Sequence, residues 1–167
     1  MTVRDALRSA AERLELRHVS NARLTAELLL AHVFSVEREY LYSHDDRTLT
    51  AEESQALEDR LYDRISGVPL QYIVGRQEFY GRCFHVNPSV LIPRPETEYI
   101  IESVLQLHGM SWQPPRPISI FDVGTGSGCI AVTLALEIPA ANVFAADISF
   151  KALLVAQNNA ANLNAKV

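Results

Sequence analysis

The segment ISIFDVGTGSGCIAVTLALEI, residues 118–138, leaves the chain few ways to fold. An apolar run, ISIFDV over 118–123, leads straight into glycines at 124, 126 and 128. Such a run is what a strand of a parallel sheet, buried on both faces, presents. The glycines accept backbone dihedrals that side chains resist, so the chain can turn at once. CIAVTLALEI then predicts a helix. A second apolar run, NVFAAD over 142–147, predicts a second buried strand ending in Asp147. Ser149 is placed to cap a last helix with Ala152, Leu153 and Ala156 on one face. Strand and helix in alternation predict a parallel α/β sheet.

Both the glycine turn and Asp147 fall at the carboxyl ends of strands, where ligands bind in open α/β sheets. Glycines let a ligand approach the backbone, and a helix N-terminus offers free N–H groups. An acid about twenty residues beyond the turn is placed to accept the two ribose hydroxyls of a nucleotide. The dinucleotide fingerprint is not met, because Cys129 holds its sixth position. Asp122, just before the turn, disfavours an anionic pyrophosphate and favours a ligand with a positive amino group, such as S-adenosylmethionine. A Walker phosphate loop is excluded, since no Gly-Lys-Ser/Thr follows. A glycine turn without a ligand is the structural alternative.

Upstream, LIPRPETE at 91–98 holds Arg94 between two prolines. Proline fixes its own φ and pushes the residue before it out of the helical region, so 91–94 should be extended and stiff. Pro95, with Glu96 and Glu98, suits the first turn of a helix. Tyr99, Ile100, Ile101, Val104, Leu105 and Leu107 continue that helix. SWQPPRP, 111–117, predicts a proline-rich surface loop. Residues 70–92, with LQYIVG and EFYGRCFHV broken by Gly75 and Gly81, predict strand or hairpin.

Residues 1–66 predict four short helices. Thr2 caps the first, with Val3, Ala6, Leu7, Ala10 and Leu14 apolar. The second spans about Ala22 to Phe34, with Leu24, Leu28, Leu29, Ala31 and Val33, and the third includes Tyr40 and Leu41. Thr50 and Glu53 form a capping box for the fourth, which carries Leu57, Leu61 and Ile65. Gly67 and Pro69 end it.

A net charge of −5 provides no diffuse basic field, so direct nucleic-acid binding is not expected. Cys83 and Cys129 lack ligand-like spacing, which predicts reduced thiols and no metal site. No apolar run approaches membrane-spanning length, and the N-terminus has no long apolar core of a signal peptide. The expectation is a soluble, cytoplasmic protein without membrane contact.

GVPLQYIVGRQEFYGRCFHVNPSVLIPRPETE, followed by FDVGTGSGCIAV and VFAADIS, resembles the HemK/PrmC family, the protein-(glutamine-N5) methyltransferases of peptide chain release factors. The resemblance runs from about Gly67 to Asn164. It implies an α+β protein in three parts. These are a helical release-factor-binding domain over 1–68, a β-hairpin linker over 69–93, and the start of a Rossmann-like methyltransferase domain over 94–167. It implies S-adenosylmethionine as cofactor, with Asp122 and the turn Gly124, Thr125, Gly126, Ser127 and Gly128 about its methionine part. Asp147 would hold the ribose and Ile148 would lie against the adenine. Arg94, Thr97 and Glu98 would form a wall at the pocket mouth, which the two prolines pre-organise. A rigid linker with Arg94 in a structural ion pair is the other reading of that turn. The implied substrate is the glutamine of the Gly-Gly-Gln motif in release factors.

The family's chemistry centres on an Asn-Pro-Pro-Tyr motif, which does not occur in these residues, so no catalytic residue is assigned here. Two strands are fewer than the about five or more usual for such a sheet. The sequence therefore reads as part of a longer enzyme. By itself it is expected to bind cofactor weakly or not at all, to transfer no methyl group, and to self-associate or be disordered beyond about residue 115. Two rivals stand beside this reading. One is a methyltransferase for a ribosomal protein or nucleic acid, and the other is a non-catalytic binding module.

Overall fold

The computed structural model of the protein describes residues 1–111 and 118–167. The loop expected at 111–117 lies, from Trp112 on, outside the described residues. The chain forms two compact units, Met1–Val74 and Gly75–Val167. The boundary expected at residue 68 thus stands against an observed division between Val74 and Gly75.

The first unit is helical: α1 (Val3–Leu16), α2 (Ala22–Phe34), α3 (Arg38–Ser43), α4 (Ala51–Ile65) and α5 (Leu70–Val74). Its starts are written locally. Thr2 accepts the N–H of Asp5, and Thr50 with Glu53 completes the capping box of α4. These bonds satisfy amides that a helix cannot pair internally. Gly67, at φ 99°, turns the chain after α4. Val3, Ala6, Ala10, Leu14, Leu29, Leu30, Leu41, Leu57 and Leu61 fill the core.

Two expectations are corrected in this unit. LQYIV is a helical turn, not a strand. The Pro69 carbonyl accepts the N–H groups of Tyr72 and Ile73, and Leu70, Ile73 and Val74 pack on the helical core. A helix brings residues spaced by three and four to one face, and packing there outweighs β-propensity. On α2, Leu24 is 38% exposed, whereas Glu27 is only 5% exposed. The Glu27 carboxylate accepts the Tyr42 hydroxyl at 2.6 Å and the Arg23 guanidinium at 3.2 Å. Arg38 approaches it at 3.5 Å, so the carboxylate is both bonded and charge-compensated.

The second unit opens with a hairpin, β1 (Arg76–Phe79) and β2 (Arg82–His85), paired antiparallel. Tyr80 and Gly81 both have positive φ, 51° and 69°, as a two-residue hairpin turn of matching twist requires. Phe79 and Phe84 meet edge to face, 6.1 Å between ring centres, in a core with Ile101, Cys129, Val132, Leu134 and Ile138. Burying such a ring is worth about 1.5–3 kcal/mol. The linker expected over 69–93 is thus divided: Leu70–Val74 packs on the first core, and the hairpin from Arg76 belongs to the second.

A 3₁₀ turn, Pro95–Thr97, leads into α6 (Glu98–Ser111). Then follow β3 (Ser119–Val123), α7 (Cys129–Glu137), β4 (Asn142–Ala146) and α8 (Phe150–Asn162). β3 and β4 pair in parallel, Ser119 opposite Asn142 through Val123 opposite Ala146. Burial on both faces was expected, but the strands alternate. Phe121, Val123 and Phe144 are 69, 85 and 50% exposed. Successive side chains of a strand point to opposite faces. α7 packs on one face, and no described element covers the other. Phe121 and Phe144 stack on that open face, with ring centres 4.9 Å apart.

Candidate functional site

The turn between β3 and α7 is built by its own backbone. Gly124 and Thr125 donate their N–H groups to the Ala146 carbonyl at the end of β4, at 2.8 and 3.0 Å. All three glycines have positive φ, but for different surroundings. A Cβ on Gly124 or Gly126 would meet nothing within 4 Å, so these two face open space. A Cβ on Gly128 would lie 3.0 Å from the Ala156 Cβ and 3.2 Å from its Cα. Gly128 is thus required by the approach of α8, and only the first half of the turn is an open cradle.

Asp147 closes that cradle. One carboxylate oxygen accepts the Gly126 N–H at 2.9 Å, and the other accepts the Ser149 N–H at 2.8 Å. The bond from Ser149, then that from Gly126, holds the carboxyl below the usual carboxylate range. It is therefore ionised at neutral pH, and each oxygen keeps a further lone pair. Ile148, next in the chain, is wholly exposed beside it.

Asp122 has a second task that its position did not reveal. Its Oδ2 accepts the Thr125 hydroxyl at 2.7 Å and the Ala131 N–H at 3.3 Å. Ala131 lies in the first turn of α7, and Gly128 at the N-cap has no side chain to serve it. Asp122 thus supplies a missing cap and a negative charge at the positive end of the helix. Thr125 and Ser127 are 5 and 2% exposed, so the turn presents backbone, not their hydroxyls.

The turn at 94–98 is arranged otherwise. Arg94 is exposed, and among the described residues it makes no ion pair. Its carbonyl accepts the Thr97 N–H at 3.0 Å. The Glu98 carboxylate accepts the Tyr80 N–H at 2.8 Å and so pins the tip of the hairpin. No described hydrogen bond joins Arg94, Thr97 or Glu98 to the glycine turn. The structure brings together Asp122, the turn and Asp147.

Asn159 escaped the sequence reading. It is 1% exposed and links α8 to the backbone of Ser127 and His85. Its spacing from Ala152, Val155 and Ala156 on the buried face of α8 was the available signal. Cys129 is a buried free thiol whose burial pushes its pKa up, and Cys83 is free and exposed. Among the described residues no three His, Cys, Asp or Glu side chains cluster to hold a metal. No described helix is long and apolar enough to cross a membrane.

A parallel strand, an open glycine turn and an ionised acid at the next strand end define the ligand end of a Rossmann-like α/β domain. The family described as PrmC N-terminal domain matches residues 5–75, and that described as ribosomal protein L11 methyltransferase (PrmA) matches 102–166. A release factor glutamine methyltransferase of Koribacter versatilis is 50% identical over the whole of this chain and 58% of its own length. One from Chlorobaculum tepidum is 48% identical, over 86% of this chain and 49% of its own. One from Nitratidesulfovibrio vulgaris is 43% identical, over 95% of this chain and 52% of its own. The chain is similar to the N-terminal portion of the HemK/PrmC release factor glutamine methyltransferases. It spans about half the length of the curated relatives it matches.

Proposed function

We propose that these residues serve methyl transfer from S-adenosylmethionine to the side-chain amide nitrogen of a glutamine in peptide chain release factors. The observation that carries this is the 50% identity, over the whole chain, to a protein named release factor glutamine methyltransferase. The geometry of the turn is compatible with the cofactor. Gly124 and Gly126 leave open space, Asp147 is ionised beside them, and Ile148 is bare.

In this reading Asp147 accepts the ribose hydroxyls while its bonds to Gly126 and Ser149 keep it in place. Ile148 offers an apolar surface to the adenine. The Gly124–Gly128 turn approaches the methionine part through backbone, and the free Oδ1 of Asp122 faces its amino group. When bound, the cofactor supplies an electrophilic methyl group on a positively charged sulfur. The chain's own part is orientation, which in transfer reactions is itself a large share of catalysis. The 93–98 turn is the proposed pocket wall, with Arg94 free to meet substrate. Residues 1–68 are the proposed docking domain for the release factor, which places the work in the cytoplasm. The clamp for the acceptor amide is assigned to none of these residues.

A second reading has its own support. The match to the ribosomal protein L11 methyltransferase family covers 102–166 and favours a ribosomal acceptor. It covers only the α6–α8 segment, whereas the release-factor relatives match both units. The experiment is a chimaera in which residues 1–167 replace the matched portion of the Koribacter versatilis relative. With labelled S-adenosylmethionine it should label a release factor at glutamine. Label on ribosomal protein L11 instead would favour the second reading. A folded chimaera that binds no cofactor would overturn both.

A further inference from the structure

Asn159 uses both N–H donors of its amide and its carbonyl oxygen on backbone groups. Its Nδ2 donates to the carbonyl of His85 at 2.9 Å and to that of Ser127 at 2.8 Å. Its Oδ1 accepts the N–H of His85 at 2.8 Å. One side chain thus joins three pieces of backbone far apart in sequence: α8, strand β2 and the glycine turn. The carbonyl of Ser127 faces α8 because Gly128, the next residue, is pressed against Ala156. Ala156 and Asn159 are one helical turn apart on α8. Between them they hold the closed half of the turn at two adjacent points. The open half, Gly124 and Gly126, extends from that anchor.

We propose that Asn159 is a positioning residue for the cofactor turn, and that through it occupancy of the turn is transmitted to strand β2 of the hairpin. The inference rests on the S-adenosylmethionine reading given above. A carbonyl released from Asn159 inside the core would have to find another partner, and the turn would shift to provide one. The same amide grips both hydrogen-bonding groups of His85, so order in the turn and order in β2 share one element. Coupling of this kind is reciprocal: what stiffens one end stiffens the other. Glu98 pins the tip of the hairpin at Tyr80, and Arg82 at the start of β2 pairs with Glu137, so His85 at the far end of β2 is the point that Asn159 holds.

Residue-resolved hydrogen exchange on the chimaera described above, in which residues 1–167 replace the matched portion of the Koribacter versatilis relative, tests this, with S-adenosylmethionine as the probe. In the unsubstituted chimaera the cofactor should slow exchange at Gly126 and also at His85. Protection of the turn with no change at His85 overturns the transmission, and this arm requires no variant to fold. Asn159→Asp keeps an acceptor for the His85 N–H but removes the donors to the carbonyls of Ser127 and His85, whereas Asn159→Ala removes all three bonds. Without cofactor, both variants should speed exchange at Gly126 and Gly128 while α4 is unchanged. Only Asn159→Ala should release the His85 N–H and speed its exchange. Cofactor affinity of the folded variants should fall at least about tenfold, the scale of one lost buried hydrogen bond. A lower melting temperature with unchanged affinity and unchanged turn exchange overturns the positioning role. If the unsubstituted chimaera takes up no S-adenosylmethionine, the cofactor reading fails instead. The positioning role then stands or falls on exchange at the turn alone.

Discussion

The carboxylate of Asp147 accepts the backbone N–H of Gly126 at 2.9 Å, across 21 residues of chain. The acid that should hold a ribose and the turn that should approach the rest of the cofactor are therefore one bonded unit. A change at either should be felt at the other.

In the chimaera, Asp147→Ala should weaken S-adenosylmethionine binding about tenfold to a hundredfold, the scale of lost charge-assisted hydrogen bonds. It should also speed exchange at the Gly126 amide before any cofactor is added. Calorimetry and hydrogen exchange on the same sample read both effects. Unchanged affinity would remove Asp147 from the site.

The lowered pKa of Asp147 has a definite pH signature. A carboxyl with a folded pKa below its unfolded value adds stability above the unfolded pKa, and loses it as pH falls through the folded one. The amide signals of Gly126 and Ser149 should therefore titrate together, with a midpoint below the ordinary aspartate range. In an NMR titration, a midpoint at or above that range would contradict the bonding described.

The glycines should separate by substitution. Gly126→Val adds atoms to open space, at a residue whose φ of 55° a β-branched side chain resists. In the chimaera, cofactor binding should be lost with the fold largely kept. Gly128→Ala places a methyl 3.0 Å from Ala156, so it should lower thermal stability with or without cofactor. Melting curves beside binding curves would reveal a reversal of these two outcomes.

Glu98→Ala should loosen the hairpin tip without touching the turn. Removing the acceptor of the Tyr80 N–H should cost about 1–3 kcal/mol of stability. Exchange at Tyr80 should rise while that at Gly126 does not. Glu98→Gln, which keeps an acceptor, should recover most of the loss in denaturant unfolding.

In the helical unit, the hydrogen bond to Glu27, with the burial and charge around it, raises the pKa of the Tyr42 phenol. Glu27→Gln should bring its midpoint down toward that of an ordinary tyrosine. An alkaline NMR titration of the Tyr42 ring checks this, and an unchanged midpoint would exclude Glu27 as the cause.

What the sequence alone determined lies within a few residues of its cause. Thr2, Thr50 with Glu53, and Ser149 satisfy amides three residues away, so those helix starts were legible. Gly124–Gly128 after one apolar run marked the turn from a strand into a helix, and the second apolar run placed Asp147 at the end of the next strand. Tertiary structure decided what depends on partners far along the chain. LQYIV is helical because a core built by other helices receives Leu70, Ile73 and Val74. Gly128 differs from Gly126 because Ala156 arrives against it. Glu98 turns to Tyr80, 18 residues away, and Asn159 to His85, 74 residues away. Sequence patterns carry the period of an element and the chemistry of its ends. They do not carry which buried carbonyl another segment leaves unpaired, and that need sets where Asn159 and Glu98 spend their hydrogen bonds.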